Sequence, residues 1–184
     1  MQRTAQILSI LTLLTTPAIP QSKHIHEVTD PYNGRKTLTL ADISTRACPG
    51  DPSIGPHDGD LYLSVTATQL PNHQVAFFLG VDIYHGPILS LHNKITMDSS
   101  MDGGIGYFLT SEGSTVNNVY QGGRSTIHEF IPFHVTPQNL EVLAHTNTFQ
   151  FRVNGDRQPL QRCTYAKNLR DLPEFLDAAK DYYQ

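Results

Sequence analysis

The sequence predicts a mainly β, single-domain protein, an antiparallel β-sandwich or partly open barrel with one C-terminal α-helix. Three observations carry this expectation. Roughly seven or eight short segments alternate apolar and polar residues or form brief apolar runs, turn-forming Gly, Pro and Asn separate them, and apolar residues fall at helical spacing only near the C-terminus. A length of 184 residues suits one domain, and no repeat or interior composition shift marks a boundary.

Residues 1–18 read as an export signal. Arg3 is the only charge before an apolar core from Ile7 to Leu14, which is too short to span a bilayer, and Thr16 and Ala18 suit cleavage after Ala18. The competing reading is an amphipathic or buried N-terminal helix. Residues 19–35 follow as a flexible N-terminal segment, and 36–184 form the sandwich domain. No later apolar run reaches membrane-spanning length, so the mature chain is expected to lack a transmembrane segment and to work in the periplasm or outside the cell.

The first strand of the domain is Thr37-Leu38-Thr39-Leu40, running toward Ile43. Leu61 to Thr68 then alternates apolar residues with mostly hydroxyl-bearing ones, one face for a core and one for water. After a turn at Pro71-Asn72, Val75 to Ile83 is almost continuously apolar and reads as a strand buried on both faces, paired with its predecessor at the centre of a sheet. Further strands are expected at Ser90 to Met97, Ile105 to Thr110, Ile127 to Val135 and Thr148 to Val153. The last meets Asn154-Gly155, a type I′ turn signal, and returns as Arg157 to Tyr165, an edge strand because Pro159 cannot donate to a ladder. Ala47 to Asp60 and Ser111 to Arg124 read as long irregular connections. The helix spans about 171–183, with Asp171 and Glu174 spaced as a capping box and Leu172, Phe175, Leu176 and Ala179 on one face.

Composition narrows the functional classes. Charged residues make up only 16% of the chain, so a solvated disordered chain is excluded. A net charge of −4 with 13 Lys and Arg argues against nucleic acid and against an anionic membrane surface. Without the signal, about 166 residues remain with a net charge near −5 and many Thr and Ser, as befits a solvated sheet. Cys48 and Cys163 are an even pair in an exported chain, most simply a disulfide; a nucleophilic thiol beside a histidine is the alternative.

The stretch from Ser125 to Ala179 carries Glu129 in an apolar strand, Thr136-Pro137-Gln138-Asn139-Leu140, the Phe149 to Gly155 hairpin and a short final helix. It resembles the tails of small uncharacterised exported β-proteins of Gram-negative bacteria. The resemblance covers about a third of the chain; it implies a periplasmic β-fold and carries no chemical motif.

Several residues are candidate sites. Asp98, Ser100 and Asp102, followed by Gly103 and Ile105, match the start of an EF-hand-type calcium loop, with Glu112 as a distant carboxylate because the twelfth position is Leu109. The alternative is a polar turn between strands. No cofactor is expected, and calcium is the one alternative the pattern leaves open. His24 and His26 share one side of a strand, as do His128 and His134, a spacing that suits transition metals and equally suits surface histidines. Enzymatic signatures are thin: a Gly-x-Ser-x-Gly elbow, His-Glu-x-x-His and a phosphate loop are all missing. Asp58, Asp60 and Glu129 are the acid–base nominees, and a partner such as Arg152 or Arg162 would account for Glu129. The Ser111 to Arg124 loop, with Tyr120 and Arg124 as anchors, is the expected binding surface. The expectation is a noncatalytic binding or interaction protein, an inhibitor or partner of another exported protein, with a small ligand or glycan as the next choice. A calcium-dependent module and a hydrolase are the alternatives.

Overall fold

The computed structural model describes residues 24–49, 60–72, 74–85, 95–104, 106–111, 113–121, 124–155 and 159–182, with the backbone alone for 118–121 and 124–126. The export signal at 1–18 and most of the 47–60 connection lie outside these residues. The described elements are β1 (Ile25–Thr29), β2 (Lys36–Ser44), β3 (Asp60–Gln69), β4 (Val75–Tyr84), β5 (Ile95–Met101), β6 (Phe108–Ser111), β7 (Thr115–Gln121), β8 (Arg124–Val135), α1 (Pro137–Ala144), β9 (Thr148–Asn154), β10 (Leu160–Tyr165) and α2 (Leu172–Lys180). Two open antiparallel sheets result, a larger one in the order β1-β2-β3-β4-β8-β7 and a smaller one in the order β10-β9-β5-β6. The mainly β class is therefore as the sequence predicts, and the sheets do not close into a barrel.

Period two explains the core. In β3, Leu61, Leu63, Val65 and Ala67 are buried, and in β4 so are Phe77, Leu79, Val81 and Ile83. They meet Ile95 and Met97 of β5 and Phe149, Phe151 and Val153 of β9 in one cluster. In β2 the register shifts between Leu40 and Ile43, where Asp42 takes a left-handed φ of 58°. That bulge lets Leu38, Leu40 and Ile43 all reach the core although their spacing breaks strict alternation. Leu172, Phe175 and Ala179 dock α2 on the same core, and α2 packs against β2 and α1. The helix falls within the expected 171–183, but Asp171 makes no side-chain cap hydrogen bond, so the capping box does not form there.

The capping box instead opens α1, which the sequence reading passed over. Thr136 accepts from the Asn139 N–H at 3.1 Å, the Asn139 side chain accepts from the Thr136 N–H at 3.0 Å, and Pro137 sits in the first turn.

Other expectations are corrected. The segment 19–35, read as flexible, contains β1, which pairs with β2 from Ile25↔Leu40 to Thr29↔Lys36. The Ser111 to Arg124 loop is mostly strand: β7 pairs with β8 over its whole length. Asn154-Gly155 does not form a two-residue turn, because Val153 pairs with Leu160 and residues 154–159 intervene. The return strand does lie at a sheet edge. β4 is less enclosed than its apolar run suggested. Its outer residues Phe78, Asp82 and Tyr84 are only half-buried, and Gly80 is covered by side chains of its own sheet.

Cys48 and Cys163 form the disulfide, with Cα atoms 5.0 Å apart. The same segment pairs with β10, where the Arg46 N–H donates to the Cys163 carbonyl at 2.9 Å and the reverse bond is 2.8 Å. Among the described residues, no helix is long and apolar enough to cross a membrane.

Candidate functional site

The outward side chains of β3, β4 and β8 come together through register alone. Tyr62 lies opposite Asp82, Ser64 opposite Gly80, Asp82 opposite Phe130 and Tyr84 opposite His128. Because alternate residues share a face, these side chains form one cluster on the outer surface of the larger sheet. The Ser64 hydroxyl donates to Asp82 Oδ2 at 2.7 Å, and His128 Nε2 lies 2.9 Å from Oδ1. A carboxylate oxygen only accepts, so Nε2 is the protonated nitrogen. The Asp82 and His128 side chains are each 16% exposed.

Three rings stand in a row across the same strands. His128 stacks on Tyr84 with centroids 4.3 Å apart and planes 7° from parallel, and Tyr62 meets Tyr84 edge to face at 6.0 Å. Burial, then the negative charges of Asp82 and Asp42, push the Tyr84 phenol above its ordinary value, so it remains a neutral hydrogen-bonding group. Gly80 gives the cluster its depth: a Cβ there would overlap the Phe130 ring and the Ser64 hydroxyl. Farther along, His134 packs on Phe78 at 4.4 Å, and Thr39 and Thr66 approach hydroxyl to hydroxyl at 3.4 Å.

Serine, aspartate and histidine in contact invite comparison with a hydrolase, but their order differs. In a nucleophilic triad the imidazole lies between hydroxyl and carboxylate and takes the hydroxyl proton. Here the carboxylate lies in the middle, the hydroxyl donates to it, and the imidazole N–H is turned to that same carboxylate. Nothing withdraws the Ser64 proton, and Ser64 is 6% exposed. The arrangement locks three strands together and positions the rings above them.

The residues expected from the sequence are distributed differently. Asp98 and Ser100 belong to β5, paired with Arg152 and Gln150 of β9. Asp98 accepts from the Asn154 amide at 2.9 Å, Ser100 donates to the Gly104 carbonyl at 2.9 Å, and Glu112 lies outside the described residues. Among the described residues, no three His, Cys, Asp or Glu side chains are placed to hold a metal ion. Tyr120 and Arg124 fall on β7 and β8, with side chains outside the described set. Glu129 faces the core at 1% exposure and accepts from the Ser114 hydroxyl at 2.8 Å. Asp60 is at the exposed start of β3 near His85, so it and Glu129 are not brought together, and Asp58 is not described. His128 and His134 do share a face, each against an aromatic ring.

Asp102 has a structural assignment of its own. It closes the turn after β5 with φ 50°, and its carboxylate accepts from the Asn147 N–H at 3.0 Å and the Thr148 N–H at 2.7 Å. Those two N–H groups, Asn147 first, hold its carboxyl below the usual carboxylate range. A depressed carboxyl contributes stability above its unfolded pKa of about 3.9 and loses it as pH falls through the folded value. Asp102→Asn tolerates the left-handed backbone but offers a single acceptor oxygen. Urea unfolding will find this variant less stable than wild type at pH 7, with the gap closing as pH drops below about 4.

The site residues that sequence reading missed are Tyr62, Ser64, Asp82 and Tyr84. One signal was present: Asp82 interrupts the apolar run of Val75 to Ile83. The chain matches no protein-family model and no curated protein.

Proposed function

We propose that this chain is an exported, noncatalytic protein-binding domain whose contact surface is the Tyr62–Tyr84–His128 row on the outer face of the larger sheet. The observation that carries the reading is the stacking of Tyr84 and His128 across β4 and β8, over a carboxylate already satisfied by Ser64 and His128. Tyrosine supplies large, rigid, amphipathic contact area with few torsions to freeze, which is why it dominates protein-binding surfaces. Parallel stacking also argues against a glycan here. A sugar ring needs an open aromatic face, whereas one face of Tyr84 is taken by His128 and Tyr62 meets it edge to face, leaving ring edges and phenol hydroxyls for a partner.

Export is supported by the N-terminal signal pattern and by the Cys48–Cys163 disulfide, a bond that persists in oxidising compartments. An exported enzyme or toxin held inactive by this domain is the partner we favour. Affinity capture from an envelope or culture extract tests the reading, using wild type, a Tyr62→Ala/Tyr84→Ala double variant and a control at exposed Val142 of α1. A stoichiometric protein retained by wild type and Val142→Ala, and weakened at least thirtyfold by the tyrosine pair with the circular dichroism unchanged, is the expected result; that factor corresponds to about 2 kcal/mol. A partner held equally well by all three proteins would rule out this surface.

A further inference from the structure

Among the described residues, four strands terminate the two sheets: β1 and β7 in the larger, β10 and β6 in the smaller. A terminal strand exposes backbone donors and acceptors that can pair with another chain, and most proteins guard such edges. Three of these are guarded. β1 is five residues long and carries His26 and Glu27, the latter ion-paired with Lys36 at 3.3 Å. The open side of β10 is taken by Arg46, whose backbone exchanges two hydrogen bonds with Cys163 beside the disulfide. β6 has only four residues.

β7 combines length with the lack of any such guard. Its seven residues, Thr115–Gln121, include no charge and no proline, and they pair with β8 without a register shift. Its own Val116 and the neighbouring Ile127 of β8 are 44% and 42% exposed, apolar side chains at the end of the sheet.

Register decides which backbone groups face outward. Gln121 pairs with Arg124, so two residues connect the strands, and the residues flanking a two-residue hairpin connection form a hydrogen-bonded pair. Hydrogen-bonded pairs then recur at every second residue, through Val119, Asn117 and Thr115. Val116, Asn118 and Tyr120 must direct their N–H and C=O groups away from β8, toward the open edge.

We propose that β7 pairs antiparallel with β7 of a second copy of this chain about a two-fold axis at Asn118, joining two larger sheets into one continuous sheet. Centring on Asn118 sets Val116 against Tyr120 of the other copy and Asn118 against its own counterpart, using all three outward-facing residues for about six hydrogen bonds. Centring on Asn117 would use only two of them. A second copy is favoured over a foreign strand because the two-fold opposes only uncharged residues along the whole strand and satisfies both unguarded edges at once. An axis normal to the sheet also keeps both outer faces on the same side, with the two β8 strands roughly 14 Å apart, three strand spacings.

Sedimentation equilibrium of the purified, disulfide-bonded protein tests this, read beside two variants. Wild type is expected as a dimer. Asn118→Lys, which sets two like charges against each other at the axis, is expected to raise the dissociation constant about fivefold with an unchanged circular dichroism spectrum. Asn118→Cys is expected to yield a covalent dimer on a non-reducing gel under mild oxidant, since directly paired Cα atoms lie about 5.5 Å apart, within disulfide reach. A wild-type monomer at hundreds of micromolar, a dissociation constant that Asn118→Lys leaves unchanged, or no cross-linking of Asn118→Cys overturns the proposal.

Discussion

Removing the disulfide with Cys48→Ala/Cys163→Ala will lower the unfolding free energy by about 5 kcal/mol in the chain-entropy picture, with cavity strain adding to it at buried Cys163. The size follows from a sequence separation of 115 residues, well over half of the 184-residue chain. A domain of this class has about 5–15 kcal/mol in total, so the change consumes a third of that or more. The bond also holds Arg46 in place, where its backbone pairs with Cys163 and its guanidinium lies 4.0 Å from the Tyr165 ring centroid. Urea titrations of wild type with and without reductant, set beside the double variant, check the result. A midpoint that does not move on reduction would falsify the view that this bond carries much of the stability.

Phe175→Ala in α2 is expected to cost about 3–5 kcal/mol. Phe175 is fully buried, and α2 is nine residues long, too short to be helical in isolation, so packing and not propensity keeps it folded. Beyond the helix, Tyr182 donates to Glu27 Oε2 at 2.7 Å, tying the C-terminus to β1. Burial first, and then that hydrogen bond, push the Tyr182 phenol well above its ordinary value, so it stays a donor at physiological pH. The Tyr182 hydroxyl in turn is the main cause holding the Glu27 carboxyl below its usual range, with Lys36 assisting. Hydrogen exchange on Phe175→Ala is expected to show lost protection first in α2 and β1, and then a lower global midpoint. Uniform protection with an unchanged midpoint would mean that α2 rests on the sheet without supporting it.

Elements that carry their own periodicity were legible in the sequence. β3 and β9 alternate, β4 is a nearly unbroken apolar run, and the stripe of α2 is spaced for one face. β7 was not legible, because Thr115-Val116-Asn117-Asn118 lacks an apolar face of its own and owes its strand conformation to pairing with β8. The capping box at Thr136 and Asn139 was not legible because its third position is Asn and not the usual Glu or Gln, and the Asp171 and Glu174 spacing at α2 makes no side-chain cap. The Asn-Gly signal after β9 was overridden by a register that pairs Val153 with Leu160. The ring row was invisible for a different reason. Tyr62 and Asp82 sit on consecutive strands but His128 lies on β8, beyond β5, β6 and β7, and only the registers of β3–β4 and β4–β8 make them neighbours.

The placement of the Cys48–Cys163 bond has a mechanical consequence. Everything from β3 to β9 lies inside the covalent loop, while β1, β2 and the segment from Thr164 through α2 lie outside it. Tension applied between the chain ends bypasses the loop through the sulfur atoms. Only the outer segments then lengthen, the Glu27–Tyr182 contact between β1 and the segment after α2 among the bonds they must break, and the strands that bear Tyr62, Tyr84 and His128 are spared from extension.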